Sequence, residues 1–399
     1  MKLRRAFLLF IWLAIFATIA GAQPVAPDSL TPPAKASKPG AISPYRLSPA
    51  IQSGTAYTPI SEGAVYVDPA GDDANHGQSE DRPVRSLVAA YSRLADRRSM
   101  LLKRGGVYEG SISKWTYSNK VVEAYGSGPK PIVKTGGRPF LHKFGVATVS
   151  NVSLRNIIFD NEGNSGNLFV WIGGGQNILI ENCEFLSGGL VIQDFIVGQQ
   201  TSVIRSVKLL GNRVIGAWAD ASVSHKSGLF AAGIDGLEII GNTFDHNGWN
   251  PAKKGGHATI YNHNMYLGNV ANVVVKNNDI LRAASVGVKV RSDTTGGSHD
   301  IVIEGNRFVE GEVGITIGGN TNEPARFRNV RIVGNTFDRL GATQPTKRSF
   351  FWGIDVVDNV NTVVRDNVFT SLPDFPNHFL VRVSGTQERV VVENNVRKP

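Results

Sequence analysis

The sequence predicts an all-β protein wound as a single-stranded parallel β-helix of about nine or more coils, with a helix capping its N-terminal end. Three observations predict this. An eight-residue pattern returns along the 399 residues at a mean interval of 30. The 44 Gly and 30 Asn supply turns at that frequency, because both tolerate the backbone conformations that corners require. Only 19% of the residues are charged, against roughly 25% in an average soluble domain, so much of the chain is free to pack inward. Hydrophobic content of 41% excludes a disordered tail protein, and a single Cys excludes a disulfide scaffold.

The first elements precede the repeat. Lys2, Arg4 and Arg5 are followed by the apolar run Ala6–Ala20 and by Ala20-Gly21-Ala22, the pattern of an export signal cleaved after Ala22. Fifteen apolar residues are short for a bilayer span of about 20. The reading is therefore a Sec-type leader over 1–22, a periplasmic or secreted mature chain, and no stable membrane span after cleavage. The mature chain keeps a formal charge of +6, and outside the cytoplasm an acidic polysaccharide suits such a charge better than nucleic acid. Residues 23–60 hold eight prolines among Ala, Ser and Thr, a composition that builds no core and reads as a flexible linker. Residues 61–130 are assigned to an N-terminal cap and first coils, with Leu87, Val88, Tyr91 and Leu94 at helical spacing within 86–96.

Residues 131–399 carry the coils. The pattern is apolar, any, apolar, any, then Gly, Asn or Asp, then Asn, any, and Phe or a β-branched residue. It stands as Val207–Val214, Leu237–Phe244, Val273–Ile280, Ile301–Phe308, Val330–Phe337 and Thr362–Phe369, with degenerate copies at Val152–Phe159 and Ile178–Phe185. Alternating apolar residues define a strand with one inward face, the Gly-Asn or Asn-Asn pair supplies a left-handed corner, and the last residue returns to the core. A third strand lies between copies, as in Met265-Tyr266-Leu267 and Val288-Lys289-Val290. Stacked coils would place Asn212, Asn242, Asn278, Asn306, Asn335, Asn367 and Asn395 in one hydrogen-bonded ladder, with Cys183 as a buried rung.

The repeat, the capping helix and the opening segment Val65-Tyr66-Val67-Asp68-Pro69, with Gly71-Asp72-Asp73, Gly77, Ser79 and Pro83, resemble exported bacterial right-handed parallel β-helix proteins of the pectate-lyase-like superfamily. The resemblance implies a right-handed coil and, for most members, polysaccharide chemistry by elimination, C5 epimerisation or hydrolysis. A fold of this breadth does not choose among them.

The longest interval, 36 residues between Phe244 and Ile280, points to the site, because long loops border the strand face they rise from. It carries Trp249, Lys254, His257, Tyr261 and Asn264 as expected substrate-binding residues. Aligning Met265 with Val288 and Leu267 with Val290 puts Tyr266, Lys289, Thr316, Asp355 and Arg382 in one outward column, with Arg291 on the same face. Removing the C5 proton of a uronate needs its carboxylate charge masked, a base and a proton donor. Arg291 suits the first task and Lys289 the second, with Tyr266 or His263 returning the proton. Spacing of three residues sets His263 on the wrong face unless the chain bends. In β-helix alginate and chondroitin lyases a Lys and an Arg do the acid and base work, and Lys289-Val290-Arg291 is similar to that arrangement.

Two rival readings remain. A glycoside hydrolase needs two carboxyl groups about 5–9 Å apart, and Asp220, Asp235 and Asp355 share no cleft in this register. A non-catalytic glycan-binding or export-assisting protein would use Trp171, Trp218, Trp249 and Trp352 as stacking surfaces. No metal ligand set is expected with certainty; Ca²⁺ is the one ion the resemblance brings, and the acidic turn Asp72, Asp73, Asn75 reads as turn capping.

Overall fold

The computed structural model describes residues 63–194, 204–292, 297–318, 327–375 and 378–399. The expected leader at 1–22 and linker at 23–60 lie outside them. Within the described residues the chain forms three wholly parallel sheets of 12, 11 and 9 strands. Each successive coil adds one strand to each sheet, and at about 4.8 Å per coil the first sheet is ~50 Å long. The coil is right-handed, the hand that a twisted parallel crossover favours. Among the described residues no helix is long and apolar enough to cross a membrane.

The repeat letters map onto the sheets. Inward residues of the first sheet form the column Val152, Ile178, Val207, Leu237, Val273, Ile301, Val330, all essentially without solvent contact. The last apolar letter of each copy forms a column in the second sheet, Phe159, Phe185, Val214, Phe244, Ile280, Phe308, Phe337, Phe369. The Phe308, Phe337 and Phe369 rings stack at 4.7 and 4.6 Å, each pair within 10° of parallel. Gly287, Gly314 and Gly353 lie under this stack, where a Cβ would strike the Phe308, Phe337 and Phe369 rings respectively. Glycine there is a steric requirement of the aromatic column.

The asparagine ladder is continuous. Each amide from Asn212 to Asn367 donates to the next Oδ1 at 2.8–3.0 Å, and Cys183 opens the series by donating its backbone N–H to Asn212. The left-handed residue is the one before each rung, as Gly241 (φ 67°) and Asn277 (φ 55°) show. Of each pair it is the first member, not the rung asparagine, that takes this conformation. A second ladder runs on the exterior, where left-handed Asn151 and Asn177 bond in series to Asn119.

At the N-terminal end a helix over Leu87–Arg93 covers the first coil through Leu87 and Ala90, with Leu94 buried in the short turn that follows. The Ser86 hydroxyl accepts from Ala89 N–H, and Asp73 accepts from the Arg85 and Ser86 N–H groups at 2.9 and 2.8 Å. The acidic turn is thus spent on capping. Val88, expected on the packed side, is 70% exposed; a seven-residue helix turns only one narrow stripe inward.

Asn278→Ala removes a rung that accepts from Asn242 and donates to Asn306 and to the Ile239 carbonyl. Loss of buried hydrogen bonds of this kind costs about 2–4 kcal/mol. Chemical denaturation should show that loss with the β-rich circular dichroism unchanged. A midpoint equal to the parent's would mean that the ladder does not stabilise the stack.

Candidate active site

The outer face of the third sheet carries the polar column. In successive coils Phe230 pairs with Tyr266, Tyr266 with Lys289, Lys289 with Thr316, Thr316 with Asp355, and Asp355 with Arg382. Met265 stands beside Val288 and Leu267 beside Val290, the register expected from their apolar side chains. Arg291 lies two residues past Lys289 on the same face, opposite Gly268, which puts no side chain beside it.

His263 reaches this face because the alternation breaks. Asn264 and Met265 both turn inward: the Asn264 amide donates to the Phe244 and Leu281 carbonyls and its oxygen accepts from Asn247, while Met265 is wholly buried. Two consecutive inward residues reverse the parity of the residue before them. The His263 ring therefore meets Tyr266 at 5.7 Å, inclined by 25°, and Tyr266 also stacks with Phe230 at 5.3 Å. Asn264, expected to touch substrate, is instead a core residue with its amide fully used.

Electrostatics divide the face. Burial, with Arg291 and Arg348 adjacent, pulls the Lys289 ammonium down to about 8, against a smaller opposing pull from Asp355. Burial likewise pushes the Asp355 carboxyl up to about 6, outweighing Arg382 at 3.4 Å and Lys289. His263 is held well below its usual range by burial and by Lys289, Arg348 and His225, so its ring is neutral. Its Nδ1 is buried and has no hydrogen-bond partner among the described residues. An amine near neutrality beside guanidinium groups, with a phenol on the next strand, can take up a proton next to an anion and return one.

Arg348, Glu312 and His225 were missed by the sequence reading. Arg348 forms an ion pair at 2.9 Å with Glu312, whose side chain is wholly buried, and its guanidinium lies over the Phe350 ring. Its signal was the second-longest interval, 32 residues between Phe337 and Phe369.

The insertion after Phe244 is only partly at the site. Tyr261 packs on His225 at 4.7 Å, which reaches His263 electrostatically. Lys254 and His257 are exposed and lie near Asp220, whose carboxyl they help hold low. Trp249 stacks on His246 at 4.4 Å. The four tryptophans offer little for sugar stacking: Trp171 and Trp218 are buried, Trp249 is covered by His246, and Trp352 has Phe350 stacked on it at 4.7 Å and Arg382 over its ring. Asp235 is far from this column, on the first sheet, bonded to Asn272.

An open depression of about 520 Å³ lies elsewhere, on the first sheet, lined among others by Arg98, Asn151, Arg155, Asn177 and Lys208. It has no acid and base pair, and the ladder already uses Asn151 and Asn177. The titratable groups with strongly shifted values on an outward column lie on the third sheet, away from this hollow. Among the described residues no group of three or more His, Cys, Asp or Glu converges as metal ligands would.

No protein-family model matches this chain, and no curated protein does. Solved structures do. A glycoside hydrolase superposes with a TM-score of 0.50 at 9% identity, over 82% of this chain and 96% of its own. An alginate lyase from Paenibacillus gives 0.44 at 12% identity, over 75% and 88%. A lacto-N-biosidase from Eubacterium ramulus gives 0.39 at 17% identity over 84% of this chain, which spans only 56% of that enzyme's length. The fold these comparisons share with this chain is the right-handed parallel β-helix.

The depressed Lys289 has a consequence for stability. Because its folded value of about 8 lies below the ordinary 10.5, the folded state disfavours the charged amine. The penalty is complete below pH 8 and fades as pH rises through 10.5. Lys289→Met should therefore raise the melting temperature at pH 7, with the gain shrinking toward pH 10. Equal gains at both pH values would show that Lys289 is solvated.

Proposed function

We propose that this chain is an exported carbohydrate-active enzyme that abstracts the C5 proton of a uronate residue in an acidic polysaccharide, with elimination or epimerisation as the outcome. The observation that carries the reading is Lys289, an amine near neutrality on an outward strand, with Arg291 two residues away and Tyr266 on the adjoining strand. The carbohydrate-acting names among the β-helix structures agree with the class of substrate and do not bear on the step.

The Arg291 guanidinium binds the uronate carboxylate and stabilises the charge that spreads into it when C5–H breaks. Neutral Lys289 takes that proton. For elimination the C4–O4 bond then breaks, a C4–C5 double bond forms, and the Tyr266 hydroxyl gives its proton to the departing O4. For epimerisation Tyr266 gives its proton to C5 on the opposite ring face and no bond to oxygen breaks. His263, neutral and packed on Tyr266, orients the phenol.

A hydrolase is the second reading, favoured by Asp355, whose carboxyl near 6 suits a general acid. Glu312, a buried carboxylate on the neighbouring coil, has both oxygens bound to Thr346 and Arg348 and is not free to partner it. Hydrolysis therefore stands behind proton abstraction.

Product analysis of the mature protein on acidic glycans separates these readings. Unsaturated ends mark elimination, inverted C5 without cleavage marks epimerisation, new reducing ends alone mark hydrolysis, and binding without turnover marks a glycan-binding module. Lys289→Ala should keep glycan binding and lower kcat by ~10²–10⁴. Arg291→Ala should weaken both binding and turnover. Since the neutral amine is the base, kcat/KM should rise about tenfold per pH unit below 8 and level off above it. A rate that falls as pH rises through 8 would make Lys289 an acid and overturn the assignment.

A further inference from the structure

The two longest intervals in the sequence, 36 and 32 residues, meet at one point. Ser285 Oγ donates to the Ile260 carbonyl at 3.1 Å, at the end of the first long loop. Arg348, on the second, donates through Nη2 to the same Ser285 Oγ. Its Nε lies 2.9 Å from Glu312 and 2.8 Å from Thr346 Oγ1. Glu312 also accepts the Thr346 backbone N–H at 2.7 Å and the Thr346 hydroxyl. Its own carbonyl is fixed in the sheet by Trp352 N–H at 3.1 Å.

Removing a carboxylate from water costs several kcal/mol unless its oxygens are fully bound. A loop can be held down by neutral bonds without that cost. The charge has a use if the guanidinium it fixes acts on something else, and the groups around Lys289 show what that is. They are Arg291 on its own strand, Tyr266 and His263 on one side, Asp355 and Arg382 on the other, with Arg348 and Glu312 over the strand ends and His225 beyond His263.

We propose that Glu312 is a positioning residue that pins 346–348 so that Arg348 clasps both long loops through Ser285 and keeps its charge beside Lys289. Glu312 touches no substrate in this scheme. It acts through Arg348, whose charge adds to the effects of burial and Arg291 in lowering the proton affinity of Lys289. The functional meaning rests on the reading of Lys289 as the base, while the geometry stands without it.

The test needs no glycan. The mature protein is acetylated with an activated acetate ester across pH 6–10, and the rate at Lys289 is read from its peptide by mass spectrometry. Only the neutral amine reacts, so each unit rise in its pKa lowers the rate at pH 7 about tenfold. Glu312→Gln should lower that rate several-fold or more, Arg348→Met should do the same, and the double variant should match Arg348→Met alone. Thr346→Val, which loosens the same loop without touching a charge, should shift in the same direction and serves if Glu312→Gln does not fold. An unchanged or faster rate in Glu312→Gln, or a further drop in the double variant, overturns the proposal. If no acidic glycan is turned over by the parent while these shifts appear, the proposed reaction fails and the positioning role stands.

Discussion

Everything in this molecule depends on the hydrogen-bonding distance between parallel strands. Once each coil must pair with the next at about 4.8 Å along three sheets, a residue's neighbours are fixed by its position in the coil. Columns follow, and each column must be made of side chains that tolerate their own kind above and below. Phe rings stack, asparagine amides chain, branched aliphatics interlock, and glycines recur where those rings leave no room. Charges do not stack well, which is why the outward column of the third sheet alternates in chemistry from phenol to amine, hydroxyl, carboxyl and guanidinium.

The same constraint sets the local electrostatics. Lys289 and Asp355 are separated by one coil, with only Thr316 between. Burial, with Arg291 and Arg348, biases the amine toward its neutral form, and burial biases the carboxyl the same way. The amine at about 8 and the carboxyl at about 6 both titrate close to neutral pH, and Asp355 pairs with Arg382 rather than with Lys289. Two shifted groups this close together on one face mark it as a candidate functional site.

Much of this was legible in the sequence. The final apolar letters of the repeat named the Phe column, the Asn letters named the ladder, and alternate apolar residues fixed the register of Tyr266, Lys289, Thr316, Asp355 and Arg382. What escaped was whatever did not follow the period. Asn264 looked polar and therefore available, yet its amide pairs inside the corner. His263 looked misplaced by parity until the double inward step at 264 and 265 corrected it. Arg348 and Glu312 lie between copies, where a pattern read by period carries no information, and only the extra length of the interval marked them. The second, external ladder through Asn151 and Asn177 was hidden because its members fall in the middle of strands, where left-handed residues are not expected from alternation.

The uneven intervals also bear on how the chain reaches this state. Every coil is closed by contacts between residues about 30 apart, so the sequence separation that folding must bridge does not grow with the length of the rod, and the stack can extend from any coil already formed. Loop-closure entropy scales with the logarithm of loop length. Stretching one coil from 30 to 36 residues therefore costs only ~0.2 kcal/mol beyond its neighbours. An enlarged corner beside a strand face is almost neutral for folding, which leaves such a scaffold free to change its loops, and with them its substrates, without renegotiating its core.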